Sequence, residues 1–452
     1  MLAVITVAAA LQMRPAGSVS VPTTTVTAAP STSSSTSSSS TSTSTSTSTS
    51  TSTSTSTTTS TPTTTLAPAP AGFVDVIRSA VTDPRFESSS VGLAVWVEGA
   101  GMVVNHNADV PMRPGSNEKL LVAWGAFGVL GPGRTLTTYV RADGAVDGSV
   151  LRGDLVLVGG GDPSLGSGGR HSVERLAALV RQHGITEVTG DLVVDESGFD
   201  NSRRAPGWTE RHVPLFVGPL SALAGDGNWL RTDPEYVANP AAGNLGAFRA
   251  ALVRQGVNVA GGERPGTASD GAPVVASVQS APVADLVRYM LTTSDNFYAE
   301  MLLKAVGREA RGTGTLENGG AAVRELAAAA GVALTGRAAD GSGLSRDNSR
   351  PAREWTELLV AARDQPWFDL LFNGLPLGGR TGTLSNRFLG TPAEGNVRAK
   401  TGSVRESRAL SGYVTTAGGR QVVFSLVVNG ALPPAVIPAM DNLVASIAAN
   451  PA

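Results

Sequence analysis

An apolar run, Leu120-Leu-Val-Ala-Trp-Gly-Ala-Phe-Gly-Val-Leu130, follows directly on Ser116-Asn117-Glu118-Lys119. A helix that is apolar all round is buried all round. The chain must therefore fold in layers around this segment, and the start of the helix carries a serine and a lysine inside with it. Three residues apart, the two share one helix face. The helix N-terminus adds partial positive charge, which favours a developing alkoxide and disfavours an ammonium. The plainer alternative is an N-cap serine followed by a solvated lysine. It fits poorly with a helix whose start is buried.

Lysine usage narrows the reading. Of 35 basic residues, only Lys119, Lys304 and Lys400 are lysine. Arginine pairs and solubilises, but it does not release its proton. A lysine retained at 119 or 400 therefore suits proton transfer. A free lysine titrates near about 10.4, so burial and cationic neighbours must lower that value before it can act as a base; Lys400 is one candidate neighbour. Lys304 follows a helical run with no motif around it and reads as an ordinary cation, for which arginine should substitute freely.

Other chemistries are disfavoured. The chain has no cysteine, which removes cysteine catalysis and thiolate metal sites. His106, His171, His183 and His212 stand far apart with no H-E-x-x-H pair, so no zinc site, and no cofactor, is expected. There is no G-x-S-x-G for a Ser-His-Asp hydrolase. Gly159-Gly-Gly-Asp-Pro163 lacks the ending of a phosphate loop and reads as a turn. A net charge of -2 gives no basic surface for nucleic acid.

The organisation follows from composition. Met1–Leu11 is apolar but shorter than the roughly 20 residues that span a bilayer. Residues 1–20 are read as an export signal or anchor, without a basic leader or a clear cleavage site. Residues 21–70 are nearly all Ser, Thr and Pro and read as a disordered tether. Together they place the protein outside the cytoplasm, at the cell envelope. The remainder reads as an α+β catalytic domain in two parts, 71–144 and 282–452. A mostly β module, 145–281, interrupts it. Helices are expected at Phe73–Val81, Val283–Thr292, Phe297–Val306, Ala321–Ala330, Pro351–Ala362 and Ile437–Ala449. Strands are expected at Val91–Glu98, Gly101–Asn105, Asp154–Val158, Glu187–Val194, Gln255–Ala260, Val274–Val278, Ser407–Thr415 and Gln421–Val428. The module is expected to govern access of large substrates more than the chemistry.

Two further motifs complete a set. Ser294-Asp295-Asn296 lies between helical stretches, and Lys400-Thr401-Gly402 opens a strand region. S-x-x-K, S-D-N and K-T-G in this order are the signature of penicillin-binding proteins and class A β-lactamases. Each is weak alone; the ordered set is specific. Roughly 170 residues separate Lys119 from Ser294, room for a large insertion.

With these motifs the chain resembles the penicillin-binding protein 4 class of D-alanyl-D-alanine carboxypeptidases and endopeptidases, peptidase family S13. The likeness extends through Leu157–Pro163, Gly190–Ser197, Asp340–Asn348, Leu375–Leu377 and Leu410–Tyr413. It implies a β-lactamase/transpeptidase-like fold and an acyl-enzyme mechanism on peptidoglycan stem peptides, with β-lactams as covalent inhibitors. Ser116 would be the nucleophile and Lys119 its base. Ser294, beside Lys400, would relay a proton to the leaving group, and Asn296 would orient the substrate amide. Thr401 and Ser403, flanking Gly402, would bind the terminal carboxylate. The N–H groups of Ser116 and Ser403 would form the oxyanion hole. Arg346 would help form the pocket for the stem-peptide side chain. The alternatives are a β-lactamase, disfavoured by the long insertion, and a non-catalytic wall-binding module, disfavoured by the intact motifs.

Overall fold

The computed structural model describes residues 71–166, 168–229 and 238–451. All belong to one compact unit, Thr64–Ala452. The expected export signal and tether lie outside the described residues. Among the described residues, no helix is long and apolar enough to cross a membrane.

In chain order, α1 (Ala71–Ala80) precedes the strands β1 (Ser89–Val97) and β2 (Gly101–His106). A 3-10 turn, Gly115–Glu118, then leads into α2 (Lys119–Gly125), which ends in a π-helical turn, Ala126–Leu130. Next come β3 (Thr137–Asp147), β4 (Val150–Val158), α3 (Val173–Gln182), β5 (Glu187–Val188), β6 (Leu192–Asp195), α4 (Pro240–Arg254), β7 (Asn258–Val259), β8 (Glu263–Pro265) and β9 (Val274–Gln279). The helices α5 (Val283–Thr293), α6 (Asn296–Arg311), α7 (Leu316–Ala329), α8 (Ala352–Ala362) and α9 (Phe368–Gly374) follow. The strands β10 (Arg398–Val404), β11 (Ser407–Thr415) and β12 (Gln421–Gly430) and the helix α10 (Val436–Ala449) close the fold.

The first and last strands make one antiparallel sheet, ordered β10-β11-β12-β1-β2. Its residues alternate between two cores. Leu93, Val95, Phe424 and Leu426 pack under α1 and α10 with Phe73, Ile77, Leu443 and Ile447. Ala94, Val423 and Val427 face the helical layer that holds α2 and α5 to α8. A strand covered on both faces has no polar side, which is why Val422–Val428 reads as an almost unbroken apolar run. Every residue of α2 is buried, as a helix apolar all round requires.

The second sheet runs β7-β5-β4-β3-β9, with β6 paired to β4 and β8 to β6. It begins at Thr137, so the expected module start at 145 falls within β3. The segment also carries α3 and α4, both packed on this sheet. Val173, Leu176, Ala177 and Val180 follow the helical period, and Ser172 caps the first turn by accepting from the Arg175 N–H. The expected strand Glu187–Val194 is two short strands that pair with different stretches of β4.

Candidate active site

The turn that carries Ser116 is fixed from both sides. A 3-10 turn has three residues per turn, so Ser116 and Lys119 are stacked in line. Asn117 is buried and its Nδ2 donates to Ser411 Oγ (2.6 Å), which bonds Ser425 Oγ (2.8 Å); this ties the turn to β11 and β12. Gly343 has φ +86°, and a Cβ there would collide with the Gly115 carbonyl. Gly402 runs under the Pro114 carbonyl with no space for a side chain. The Asp340–Asn348 loop and β10 thus both close against the turn that carries Ser116.

Lys119 is fully buried, and its Nζ lies 2.9 Å from Ser116 Oγ, 2.8 Å from Asn296 Oδ1 and 2.7 Å from the Ser342 carbonyl. The two carbonyl oxygens can only accept. Asn296 Nδ2 donates to the Phe216 carbonyl (3.0 Å), which fixes the amide so that Oδ1 faces the lysine. A neutral amine has two N–H donors and one lone pair. Here the donors go to Asn296 and Ser342, and the lone pair is left for the Ser116 hydroxyl proton. Burial lowers Lys119 from 10.5 to about 8, with Asp340, Glu300, Asp295 and Glu118 acting in the opposite direction.

Lys400 is buried as well. Its Nζ lies 2.9 Å from Ser294 Oγ and 2.9 Å from the Thr401 carbonyl. Burial, with Lys119 adding to it, pushes Lys400 well below the usual lysine value. Ser294 sits between α5 and α6 with left-handed φ 62° and ψ 36°. This conformation costs a non-glycine residue roughly 1–3 kcal/mol. It turns the chain sharply, so that Asp295 caps α6 through the Tyr298 N–H (2.9 Å) and Asn296 becomes the first residue of that helix.

A cavity of about 540 Å³ opens over this cluster, lined among others by Ser116, Ser294, Asn296, Ser403 and Arg346. The Thr401 hydroxyl instead donates to Thr383 Oγ1 (2.8 Å). Arg346 is exposed at the rim, and its carbonyl accepts from Arg113 Nε (3.3 Å). Arg113, Arg405 and Arg408 also line the cavity.

The inserted segment enters the site directly. His212 and Phe216 line the cavity, Trp208 Nε1 donates to Asp340 Oδ2 (2.8 Å), and Ser345 Oγ donates to the Pro206 carbonyl (2.7 Å). The segment expected to govern access thus also supports the site: its Phe216 carbonyl holds Asn296, whose Oδ1 faces Lys119. Lys304 also differs from expectation. It is fully buried, pairs with Asp200, donates to the Ser202 carbonyl (3.2 Å) and lies 5.6 Å from the centroid of the Phe199 ring. Sequence reasoning missed Glu300, Ser342 and the Phe216 carbonyl. Glu300 had a signal: it stands four residues after Asn296 on one helix, hence on the same face.

A serine set against a buried, neutral-tending lysine, between an antiparallel sheet and a helical layer, is the arrangement that a serine hydrolase with a lysine base requires. The family follows from sequence. The D-Ala-D-Ala carboxypeptidase 3 (S13) family model matches residues 74–236 and 235–450, and the chain belongs to this family of serine-type carboxypeptidases. It is 30% identical to a D-alanyl-D-alanine carboxypeptidase of Actinomadura sp. (strain R39), covering 82% of this chain and 84% of that protein. It is 32% identical to carboxypeptidase DacB of Mycolicibacterium smegmatis, covering 80% and 81%. The fold matches penicillin binding protein 4 of Haemophilus influenzae with a TM-score of 0.75 at 22% identity, over 83% of this chain and 99% of that one.

Proposed function

We propose that the protein removes the terminal D-alanine from peptidoglycan stem peptides through an acyl-enzyme on Ser116. The observation that carries this reading is the 2.9 Å approach of Lys119 Nζ to Ser116 Oγ, on a lysine lowered to about 8. Lys119 takes the hydroxyl proton as Oγ bonds to the carbonyl carbon of the penultimate D-alanine. The N–H groups of Ser116 and Ser403 stabilise the oxyanion, a contribution of about 3–4 kcal/mol in comparable sites. The C–N bond then breaks. Ser294, backed by Lys400, relays the proton taken up by Lys119 to the leaving amine, so that both groups return to their starting state. Water attacks the ester, returns the proton to Ser116 and releases the shortened peptide.

Asn296 Nδ2 keeps one N–H beyond its bond to Phe216, available to the substrate amide carbonyl. Ser403, exposed on β10, receives the terminal carboxylate, with Thr401 and Gly402 shaping the strand beside it. Arg346 meets the stem-peptide side chain. D,D-endopeptidase cleavage of cross-links is a second activity of the same chemistry, in which the leaving amine belongs to another stem. A penicillin, as a D-Ala-D-Ala mimic, acylates Ser116. Such substrates place the protein outside the cytoplasm, in the cell envelope.

The test is digestion of purified muropeptides followed by mass spectrometry. Loss of one alanine from pentapeptides, absent with Ser116→Ala, supports the reading. Cleaved dimers add the endopeptidase activity. Unchanged muropeptides with folded wild type, or equal digestion by Ser116→Ala, reject it.

A further inference from the structure

Glu300 is fully buried on α6, one turn beyond Asn296, and does not reach the cavity. Its two carboxylate oxygens accept from consecutive backbone groups: Oε2 from the Gly341 N–H (3.0 Å) and Oε1 from the Ser342 N–H (2.8 Å). The carbonyl of that same Ser342 lies 2.7 Å from Lys119 Nζ. One carboxylate thus holds the N-terminal side of the residue whose carbonyl takes one of the two N–H bonds of the neutral lysine. Asn296, on the same helix face, takes the other.

We propose that Glu300 is a positioning residue, which holds the Ser342 carbonyl in place so that the Lys119 lone pair is aimed at Ser116. The reasoning is geometric. Without the carboxylate, two buried N–H groups lose their acceptors, and the residue that presents its carbonyl to Lys119 is anchored from its C-terminal side alone. The Ser342 carbonyl then shifts against Lys119, and the lysine lone pair is aimed less closely at Ser116. Asp340 holds the other side of Ser342: it accepts from the Gly343 N–H (2.8 Å), which shares a peptide with the Ser342 carbonyl, and from the Ser345 N–H (2.6 Å), while Glu300 alone holds the Ser342 N–H.

Charge acts alongside geometry. The groups around Lys119 are Glu118 on its own turn, Asp295 and Glu300 from α6, Asp340 from the loop and Lys400 from β10. Glu300 itself faces Asp340, and Lys304 stands further along its own helix. Glu300 opposes the loss of the Lys119 proton. Burial and Asp340 push Glu300 up to about 8, so its charge acts on Lys119 as pH approaches that value, and removing it favours the neutral lysine there.

The inference rests on the Ser116–Lys119 reading. Its test is Glu300→Gln, a change of the same shape that replaces one acceptor oxygen with a donor. The acylation rate with a fluorescent penicillin is measured from pH 5 to 9, per titrated active serine. A plateau about tenfold or more below wild type is expected, because small displacements of reacting groups cost up to about a hundredfold. The acid limb of the profile should also shift to lower pH. A role in folding alone would lower the folded fraction and leave both readouts unchanged. Should Glu300→Gln not fold, Glu300→Asp keeps the charge with a shorter reach: slowed acylation with an unmoved limb supports the inference, and a wild-type rate overturns it. Wild-type rate and profile in Glu300→Gln overturn it as well. Absence of a Ser116 adduct in wild type removes the underlying reading, and the inference falls with it.

Discussion

Asn296 Nδ2 donates to the carbonyl of Phe216 at 3.0 Å, so a backbone group of the inserted segment orients the amide that faces Lys119. The segment is therefore part of the site's construction, and the first prediction concerns it. Replacing 206–218 with a short linker should slow penicillin acylation about tenfold or more in protein shown to be folded, the lower end of what misplacing a catalytic group costs. Digestion of intact peptidoglycan should fall at least as far. Acylation at the wild-type rate, with digestion lost, would return the segment to a role in access alone.

A second prediction concerns Gly343. With φ +86° and the Gly115 carbonyl where a Cβ would go, alanine cannot be accommodated without moving the nucleophile turn. The strain is of the order of 1–3 kcal/mol. Gly343→Ala should unfold at lower temperature and acylate about a hundredfold more slowly. Calorimetry and a fluorescent-penicillin assay check the two effects. A wild-type rate would mean that the loop does not set the position of Ser116.

The sequence made one half of this site readable and left the other half silent. Lys119 lies within hydrogen-bond reach of Ser116 and Asn296, and Lys400 of Ser294, and short motifs marked all five. The carbonyls of Phe216 and Ser342 are backbone groups, which any residue type supplies, so no motif marks them. The layering was legible from the run Leu120–Leu130 and from β12, because burial on both sides leaves an apolar sequence. The helix α3 has the proper period and cap, but it sits among short strand-like runs with Gly turns, which dominated the reading. Lys304 shows the limit of counting charges. With no motif around it, it read as an ordinary cation that arginine could replace, whereas the partner that accompanies its burial, Asp200, is distant in sequence.

That burial gives a third prediction. Lys304→Met should lower unfolding free energy by about 1–3 kcal/mol, because Asp200 and the Ser202 carbonyl lose a charged donor. Lys304→Arg should also destabilise, since a larger planar group must fit a space filled by an ammonium. Denaturant titration measures both. Acylation by the folded variants should stay near the wild-type rate. Wild-type stability in both variants would show that the buried pair contributes nothing.

The fourth prediction is the pH profile. Lys119 is lowered to about 8, so its base form grows as pH rises toward that value. Acylation should increase about tenfold per pH unit well below 8 and level off above it. The sign for stability follows from the same shift. Between about 8 and 10.5 the unfolded chain holds the lysine proton and the folded one does not, so this group favours folding more as pH rises through that window. A flat acylation profile from pH 5 to 9 would contradict the assignment of Lys119 as the group that controls the rate.

The most direct test of the lysine base is the second-order acylation rate of Lys119→Arg with a fluorescent penicillin, on folded protein, with intact-mass detection of the Ser116 adduct. Arginine keeps the cation but titrates above about 12 and cannot take the serine proton. General-base catalysis contributes roughly a hundred- to ten-thousand-fold, so a loss of at least a hundredfold is expected. Comparable rates for Lys119→Arg and wild type would contradict the account at its centre.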